Sequence, residues 1–267
     1  MRVALAKWTP DIFGLANKGQ SEAKNVYPTG AGYAPLKALS EITTTGLGAM
    51  AKGAISAQDS TGTINTFAGD ATKLYKLTGA AFANVSKAGD YTLASTERWE
   101  FAQYGQRVLA VQIGAPVQKY DLASSSLFAD LAGSPPQARH VGLVRDFIVL
   151  GNTTTSPNEL VWSGFNDSEG WSPGTNQSDT QTLQGGGWIQ GIVGGEVGYI
   201  FQERAITRMT YVGPPAYFQF DLLEENRGLA APASLVKIGA LMFFYDQDGF
   251  YVKAGDAPSV SIGNMKV

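Results

Sequence analysis

The side chains that could do chemistry are few, and their spacing assigns them little. His140 is the one imidazole in 267 residues, and there is no cysteine. Thiol nucleophiles, disulfides and zinc–thiolate sites are therefore excluded, and a histidine-based metal site has no second imidazole. A catalytic histidine needs an orienting carboxylate and a nucleophile beside it, and no Gly-x-Ser-x-Gly stretch nominates one. His140 reads as a structural strand residue. Asp246-Gln247-Asp248-Gly249 begins like a calcium loop, but Phe250 and Ala257 stand where that loop needs an oxygen donor and a closing glutamate. Gly185-Gly186-Gly187 lacks the Lys-Ser/Thr ending of a phosphate-cradling loop and no helical pattern follows it. Glu224-Glu225 and the scattered aspartates single out no glycosidase pair. Asn84, Asn152, Asn166 and Asn176 each open an Asn-x-Ser/Thr triplet, which reads as chance in a Ser/Thr-rich chain. No catalytic residue, no cofactor-binding residue and no metal ligand is assigned, and no cofactor is expected.

Composition narrows the partners. Charged residues make up 16% of the chain, against about 25% in an ordinary soluble domain. The net charge is −3 and the basic residues form no run. A protein that reads nucleic acid by gripping phosphates would be basic or carry a basic stripe. A conduit through which DNA slides has the opposite requirement, a neutral or mildly acidic lining. The start of the chain is too short in its apolar part for a signal peptide, and no run approaches the roughly 18 apolar residues of a spanning helix. No membrane contact is expected.

The elements that position these side chains are strands. Short runs rich in Val, Ile, Phe and Tyr alternate with Gly, Pro, Asn, Asp and Ser clusters from about residue 53. One family of runs is 107–111, 147–150, 199–201 and 242–245. A second follows each by a few residues and contains Tyr120, Trp162, Met209 and Tyr251, with Tyr75 as an earlier copy. A third precedes the first, at 99–105, 140–144, 188–193 and 235–240. From Tyr75 through Tyr120, Trp162 and Met209 to Tyr251 the steps are 45, 42, 47 and 42 residues. Three to four short strands at that period predict the antiparallel meanders of a β-propeller, an all-β fold with very little helix. A β-sandwich or irregular β-domain is the alternative. Asp248-Gly249 and Gly194-Gly195 mark hairpin turns. Residues 1–50 hold no sustained period and carry scattered apolar anchors such as Trp8, Phe13, Tyr27 and Tyr33. They predict an extended arm lying on its own domain or on a neighbour. Residues 51–267 are the blades. Residues 256–267 read as the opening of a further unit, so either the N-terminal arm supplies the missing strand or the chain is expected to continue past Val267.

These residues carry a resemblance. Asn25-Val26-Tyr27-Pro28, Gly32-Tyr33-Ala34-Pro35-Leu36, Lys73-Leu74-Tyr75-Lys76-Leu77 and Arg98-Trp99-Glu100-Phe101 with Gly105 resemble the tail nozzle, or tail stabilisation (hub), family of short-tailed bacteriophages. So do Trp162-Ser163 to Trp171, Gly187 to Glu196, Phe201 to Met209, Gly213-Pro214-Pro215 and Asp248-Gly249-Phe250-Tyr251. The resemblance covers nearly the whole chain in individually weak motifs, and the family's members are longer. It implies a propeller-containing virion protein without enzymatic activity. It implies a ring of identical subunits, a hexamer, below the head-to-tail adaptor. Tail fibres or spikes attach outside, and double-stranded DNA passes through the lumen without specific binding. It implies assembly in the host cytoplasm and residence in the virion tail. A propeller glycosidase or carbohydrate-binding (receptor-binding) protein is the alternative. An enzyme is expected to cluster Asp, Glu, Arg and Tyr around a concave pocket at one mouth of the funnel.

Overall fold

Alternation of buried and exposed side chains is the organising feature of the computed structural model, which describes residues 24–29, 32–38, 40–41 and 43–262. Five four-stranded antiparallel sheets follow one another in a ring as the blades of a β-propeller. Blade one holds β3 (Gly53–Gln58), β4 (Ile64–Gly69), β5 (Leu74–Thr78) and β6 (Ala81–Asn84). Blade two holds β7 (Glu100–Tyr104), β8 (Arg107–Val111), β9 (Gln118–Asp121) and β10 (Ala129–Asp130). Blade three holds β11 (Ala138–Val144), β12 (Phe147–Thr153), β13 (Glu159–Trp162) and β14 (Asp179–Thr182). Blade four holds β15 (Ile189–Val193), β16 (Gly198–Gln202), β17 (Ala205–Gly213) and β18 (Tyr217–Glu225). Blade five holds β19 (Val236–Ile238), β20 (Leu241–Asp246), β21 (Gly249–Ala254) and β22 (Val260–Ser261). Ahead of them, β1 (Val26–Thr29) and β2 (Gly32–Pro35) pair as a hairpin. One 3-10 turn, Pro232–Ser234, is the helical content of the described residues. No described helix is long and apolar enough to cross a membrane.

The burial of each strand follows from its place in the blade. In the blades with a neighbour on each side the second strand is covered on both faces, so β12 of blade three is buried at every position and reads as a near-continuous apolar run. Outermost strands face solvent, and β14 is Asp-Thr-Gln-Thr. The expected residues share a strand but not one face: Trp162 turns to the following blade, whereas Tyr120, Met209 and Tyr251 turn to the preceding one. Tyr75, Tyr120, Trp162, Met209 and Tyr251 occupy the third strand of successive blades and are all buried. Four buried clusters fill the junctions between successive blades. Phe67, Val108 and Tyr120 join one to two; Leu109, Ile148 and Leu150 join two to three; Phe147, Trp162 and Ile200 join three to four; Phe201, Ile206 and Phe244 join four to five. Among the described residues no such cluster joins blade five to blade one.

The turns are those their residues favour. Asp246 faces Gly249 across a two-residue turn of Gln247 and Asp248, so the hairpin is where Asp248-Gly249 marked it but Gly249 opens the strand rather than sitting inside the turn. Gly105 lies at φ +56 in the β7–β8 turn, a left-handed conformation that other residues adopt at a cost.

One expectation changes. Residues 260–261 do not open a further unit: Val260 pairs with Val252, so they form the outermost strand of blade five. Within the arm, Thr45 bridges Ala81 in parallel, laying this segment along β6 of its own blade one. Residues 1–23 and 263–267 lie outside the described residues.

Candidate functional site

One cluster of charged residues lies at the turns of the innermost hairpins of blades two and three. The β7–β8 turn, the β11–β12 turn and the loop after β13 enclose a groove of about 550 Å³, lined by Tyr104, Arg107, Asp121, Arg145, Asp146 and Ser168 among others. A neighbouring groove of about 630 Å³ shares Leu143, Arg145 and Asp146 and extends to Gly194–Glu196. Both are wide open.

Arg107 is the hub. Its Nε and Nη2 donate to the two carboxylate oxygens of Asp121 at 2.6 and 3.2 Å, a bidentate fork. Its Nη1 donates to Ser168 Oγ and Glu169 Oε1, both at 2.8 Å. Lys119 Nζ donates to the same Glu169 oxygen at 2.5 Å. The hydrogen bond from Lys119, helped by the charge of Arg107, holds Glu169 below the usual carboxylate range. Burial works against the charge on Arg107, but Asp121 and Glu169 outweigh it and raise its pKa. Tyr104 Oη donates to the Asp146 carbonyl at 3.0 Å. Arg145 pairs with Glu196 at 3.1 Å and lies over the Tyr211 ring. The clustering expected of an enzyme mouth is thus present in residue type, but its cations and most of its carboxylates are engaged with one another. Asp121 and Glu169 share one arginine, and the lowered pKa of Glu169 keeps it ionised rather than poised as a general acid.

Sequence reasoning passed over this network. Arg107 and Asp121 are directly paired across β8 and β9, so the strand alignment carried their signal. Glu169 arrives from an irregular loop and left none.

His140 is 4% exposed. Its Nδ1 lies 2.7 Å from Glu100 Oε1, and Glu100 Oε2 accepts the Val141 N–H at 3.0 Å. The carboxylate that orients a catalytic histidine is therefore present. Nε2 is buried without a hydrogen-bond partner among the described residues, so no nucleophile is bound to it. The pair ties blade two to blade three. Glu224 accepts from the fully buried Lys253 at 2.6 Å and from Ser259, a structural tie within the outer blades rather than half of a carboxylate pair. Asp248 accepts from Tyr251 and Arg227, and Asp246 is buried beside it, so this turn is a braced hairpin. Gly185–Gly187 precede β15 in a bend. Asn152 is 3% exposed and donates to the Ile189 carbonyl at 2.8 Å, so its side chain is committed to packing. No cluster of three or more metal-ligating side chains exists among the described residues.

The second notable surface has no charge. On blade five Met242, Phe244 and Tyr251 point into the junction with blade four. Alternation sends Leu241, Phe243 and Tyr245 of β20 to the opposite face, with Phe250, Val252 and Ala254 of β21 beside them. Pairing completes the rows. Val236, Phe243, Val252 and Val260 form the middle row, and Ile238, Leu241 and Ala254 flank it. Tyr245 and Phe250 flank the other side, with Ile262 bonded alongside through its N–H. Every side chain on this face is apolar or aromatic. Ile238 is 63% exposed and Val260 61%. The corresponding free face of blade one is mixed: Ser56, Gln58 and Thr66, with the Ser56 and Thr66 hydroxyls bonded to each other, stand beside Ile64, Leu77 and Phe82.

No family model matches the chain, and no curated protein sequence matches it. Solved structures share its fold. The extracellular domain of a putative hybrid two-component system from B. thetaiotaomicron superposes with a TM-score of 0.51 at 15% identity, over 82% of this chain and 34% of that one. This chain therefore spans about a third of that protein's length. The computationally designed Ika8 protein superposes with a TM-score of 0.52 at 11% identity, over 87% of this chain and 69% of the other. At these identities the likeness is one of fold alone.

Proposed function

We propose that this chain is a structural subunit of a phage tail nozzle that catalyses nothing. In this reading identical copies form a ring, a hexamer, beneath the head-to-tail adaptor. They carry fibres or spikes outside and pass duplex DNA through the lumen, in virions assembled in the host cytoplasm. The observation that carries the assembly role is the uncharged apolar face of blade five. Contiguous exposed apolar surface of this extent marks an interaction site on a protein. The self-saturated charges around Arg107 add support, since they leave no poised acid, base or nucleophile. The nozzle assignment itself comes from the sequence resemblance. Imaging of virions tests it: the protein is expected in a symmetric ring around the tail axis. Purified protein is expected to bind duplex DNA no more tightly than about 10⁻⁴–10⁻⁶ M at physiological salt, the non-specific range.

One observation favours a second reading. The groove holding Tyr104, Asn166 and Asp146 offers an aromatic ring, an amide and a carboxylate in an open cleft, a lining suited to a sugar. Glycan-array binding lost in Tyr104→Ala would establish a carbohydrate-binding protein instead.

A further inference from the structure

We propose that the Arg145-Asp146 turn reads a pair of neighbouring hydroxyls on an uncharged sugar, and that the ligand is a neutral oligosaccharide lying across the two grooves that meet at this turn. The proposal rests on the second reading above, that the cleft takes a sugar. It adds the charge class of that sugar, its extent and the residues that select it.

Three blades join their first and second strands by the same two-residue hairpin. Tyr104 pairs with Arg107, Val144 with Phe147 and Ile238 with Leu241. The first residue of each turn is left-handed, at φ +56, +50 and +59. Blades two and five place Gly105 and Gly239 there, and blade three places Arg145. A side chain is disfavoured in that conformation, so the arginine is kept against the preference of its own backbone. Outliers of this kind gather at binding sites. The guanidinium is held in place without being consumed. It lies 4.7 Å from the centre of the Tyr211 ring and forms an ion pair at 3.1 Å with Glu196, whose side chain is 79% exposed. Its nitrogens donate no hydrogen bond among the described residues, and the Asp146 carboxylate accepts none and has no cation paired with it there. Both residues line both grooves. One groove runs on to Tyr104 and Asn166, the other to Gly194–Glu196, so a ligand held at the turn extends over more than one sugar. The charges select what binds. An anion held by Arg145 would share the turn with the Asp146 carboxylate, and a cation held by Asp146 would share it with the guanidinium. A hydroxyl both donates and accepts, so two adjacent hydroxyls satisfy the Arg145 donors and the Asp146 oxygens together. The Tyr104 ring supplies an apolar face beside them.

The test screens the full chain on an array of neutral and acidic oligosaccharides and titrates the best neutral ligand by calorimetry. Neutral oligosaccharides are expected to bind, and more tightly than their component single sugars. Arg145→Gly and Asp146→Asn are each expected to weaken binding by about tenfold or more, the loss of hydrogen bonds to a charged group. Arg204→Ala, at an exposed position between β16 and β17, is the control and is expected to bind as wild type does. Thermal unfolding separates a binding role from a structural one. Arg145→Gly is expected to keep or raise the midpoint, because glycine suits the left-handed backbone. A lowered midpoint with unchanged affinity makes the arginine a structural brace and overturns the proposal. Binding confined to acidic sugars overturns it and leaves the second reading standing. So does neutral-sugar binding that is lost in Tyr104→Ala but kept in Arg145→Gly. Absence of binding to every glycan on the array overturns both.

Discussion

Trp99 and Trp188 stand one residue ahead of the first strands of blades two and four, and they make opposite predictions. Trp99 is 3% exposed and Trp188 51%. The Trp99 indole donates from Nε1 to the Asp70 carbonyl at 2.9 Å and meets Tyr91 edge-on at 5.0 Å. It fits because Gly69 is opposite: a Cβ built on Gly69 would lie 2.4 Å from Trp99 Cδ1 and 2.8 Å from Nε1. Trp99→Ala removes the ring, its edge contact and the partner of a buried carbonyl. An expected cost is about 3–5 kcal/mol, the range for a large buried aromatic. Trp188→Ala is expected to cost under about 0.5 kcal/mol, as an exposed substitution does. Gly69→Ala forces the methyl into the indole and is expected to cost about 1–3 kcal/mol by overpacking. The two core changes are coupled. With the indole gone the methyl has room, so the double variant should be more stable than the sum of the singles by about 1–3 kcal/mol, within the measured range for contacting residues. Guanidinium unfolding followed by circular dichroism supplies all four midpoints. Additive Trp99 and Gly69 effects would refute the argument that the glycine exists to admit the ring, and an equal cost at Trp188 would refute the burial assignment.

The remaining predictions follow from ionisation and backbone approach. Burial pushes the Tyr91 hydroxyl up to about 12, while an unfolded tyrosine ionises near 10. The folded state therefore keeps this proton where the unfolded state loses it, and stability falls as pH rises from about 10 towards 12. Tyr91→Phe should flatten that slope in alkaline unfolding curves while losing the 2.9 Å bond to Gln118. Glu169 is held below the ordinary glutamate value by Lys119 and Arg107, so its contribution is complete above about pH 4.3 and is lost as pH falls through the folded value. Glu169→Gln should lower stability at neutral pH and shallow the acid slope below about pH 4.3. A Cβ on Gly194 would lie 2.1 Å from the Leu143 carbonyl oxygen, where backbone cannot yield cheaply. Gly194→Ala should lower the unfolding midpoint more than Gly46→Ala, whose Cβ would meet nothing within 4 Å.

The propeller was legible because every blade repeats one physical requirement. A third strand within a blade needs large buried side chains, and Tyr75, Tyr120, Trp162, Met209 and Tyr251 supply them on successive third strands, though Trp162 faces the following blade and Tyr120, Met209 and Tyr251 the preceding one. The equivalence of Trp99, His140 and Trp188 held only as position along the chain: one is core, one is a buried partner of Glu100, and one faces solvent. The strands of blade one that escaped notice, β3 and β4, are built from Gly53, Ala54, Ser56, Ala57, Asn65 and Ala68. Small residues there leave space for Trp99 from the next blade, so the apolar signal sits on the partner rather than on the strand. The mouth network was partly hidden for a different reason. Arg107 and Asp121 are fixed by strand register, but Glu169 reaches them from a loop whose path no periodicity records.

The apolar face of blade five shows why strand pattern and surface character are separate questions. Period-two alternation in β20 reads Leu241, Phe243 and Tyr245 on one side and Met242, Phe244 and Asp246 on the other. In blades two to four the same two-sided apolar pattern is satisfied because each blade has a neighbour on both faces. Nothing in the residues of β20 differs from those strands, so their sequence cannot say that one side stays open. That emerges only when the neighbours are placed and no buried cluster is found beyond Phe243 and Phe250 among the described residues. Blade one differs in composition where it matters. Its free face mixes Ser56, Gln58 and Thr66 with Ile64, Leu77 and Phe82, and Ser56 and Thr66 satisfy each other's hydroxyls. The free faces of blades one and five therefore differ in polarity, a difference that strand periodicity alone does not record.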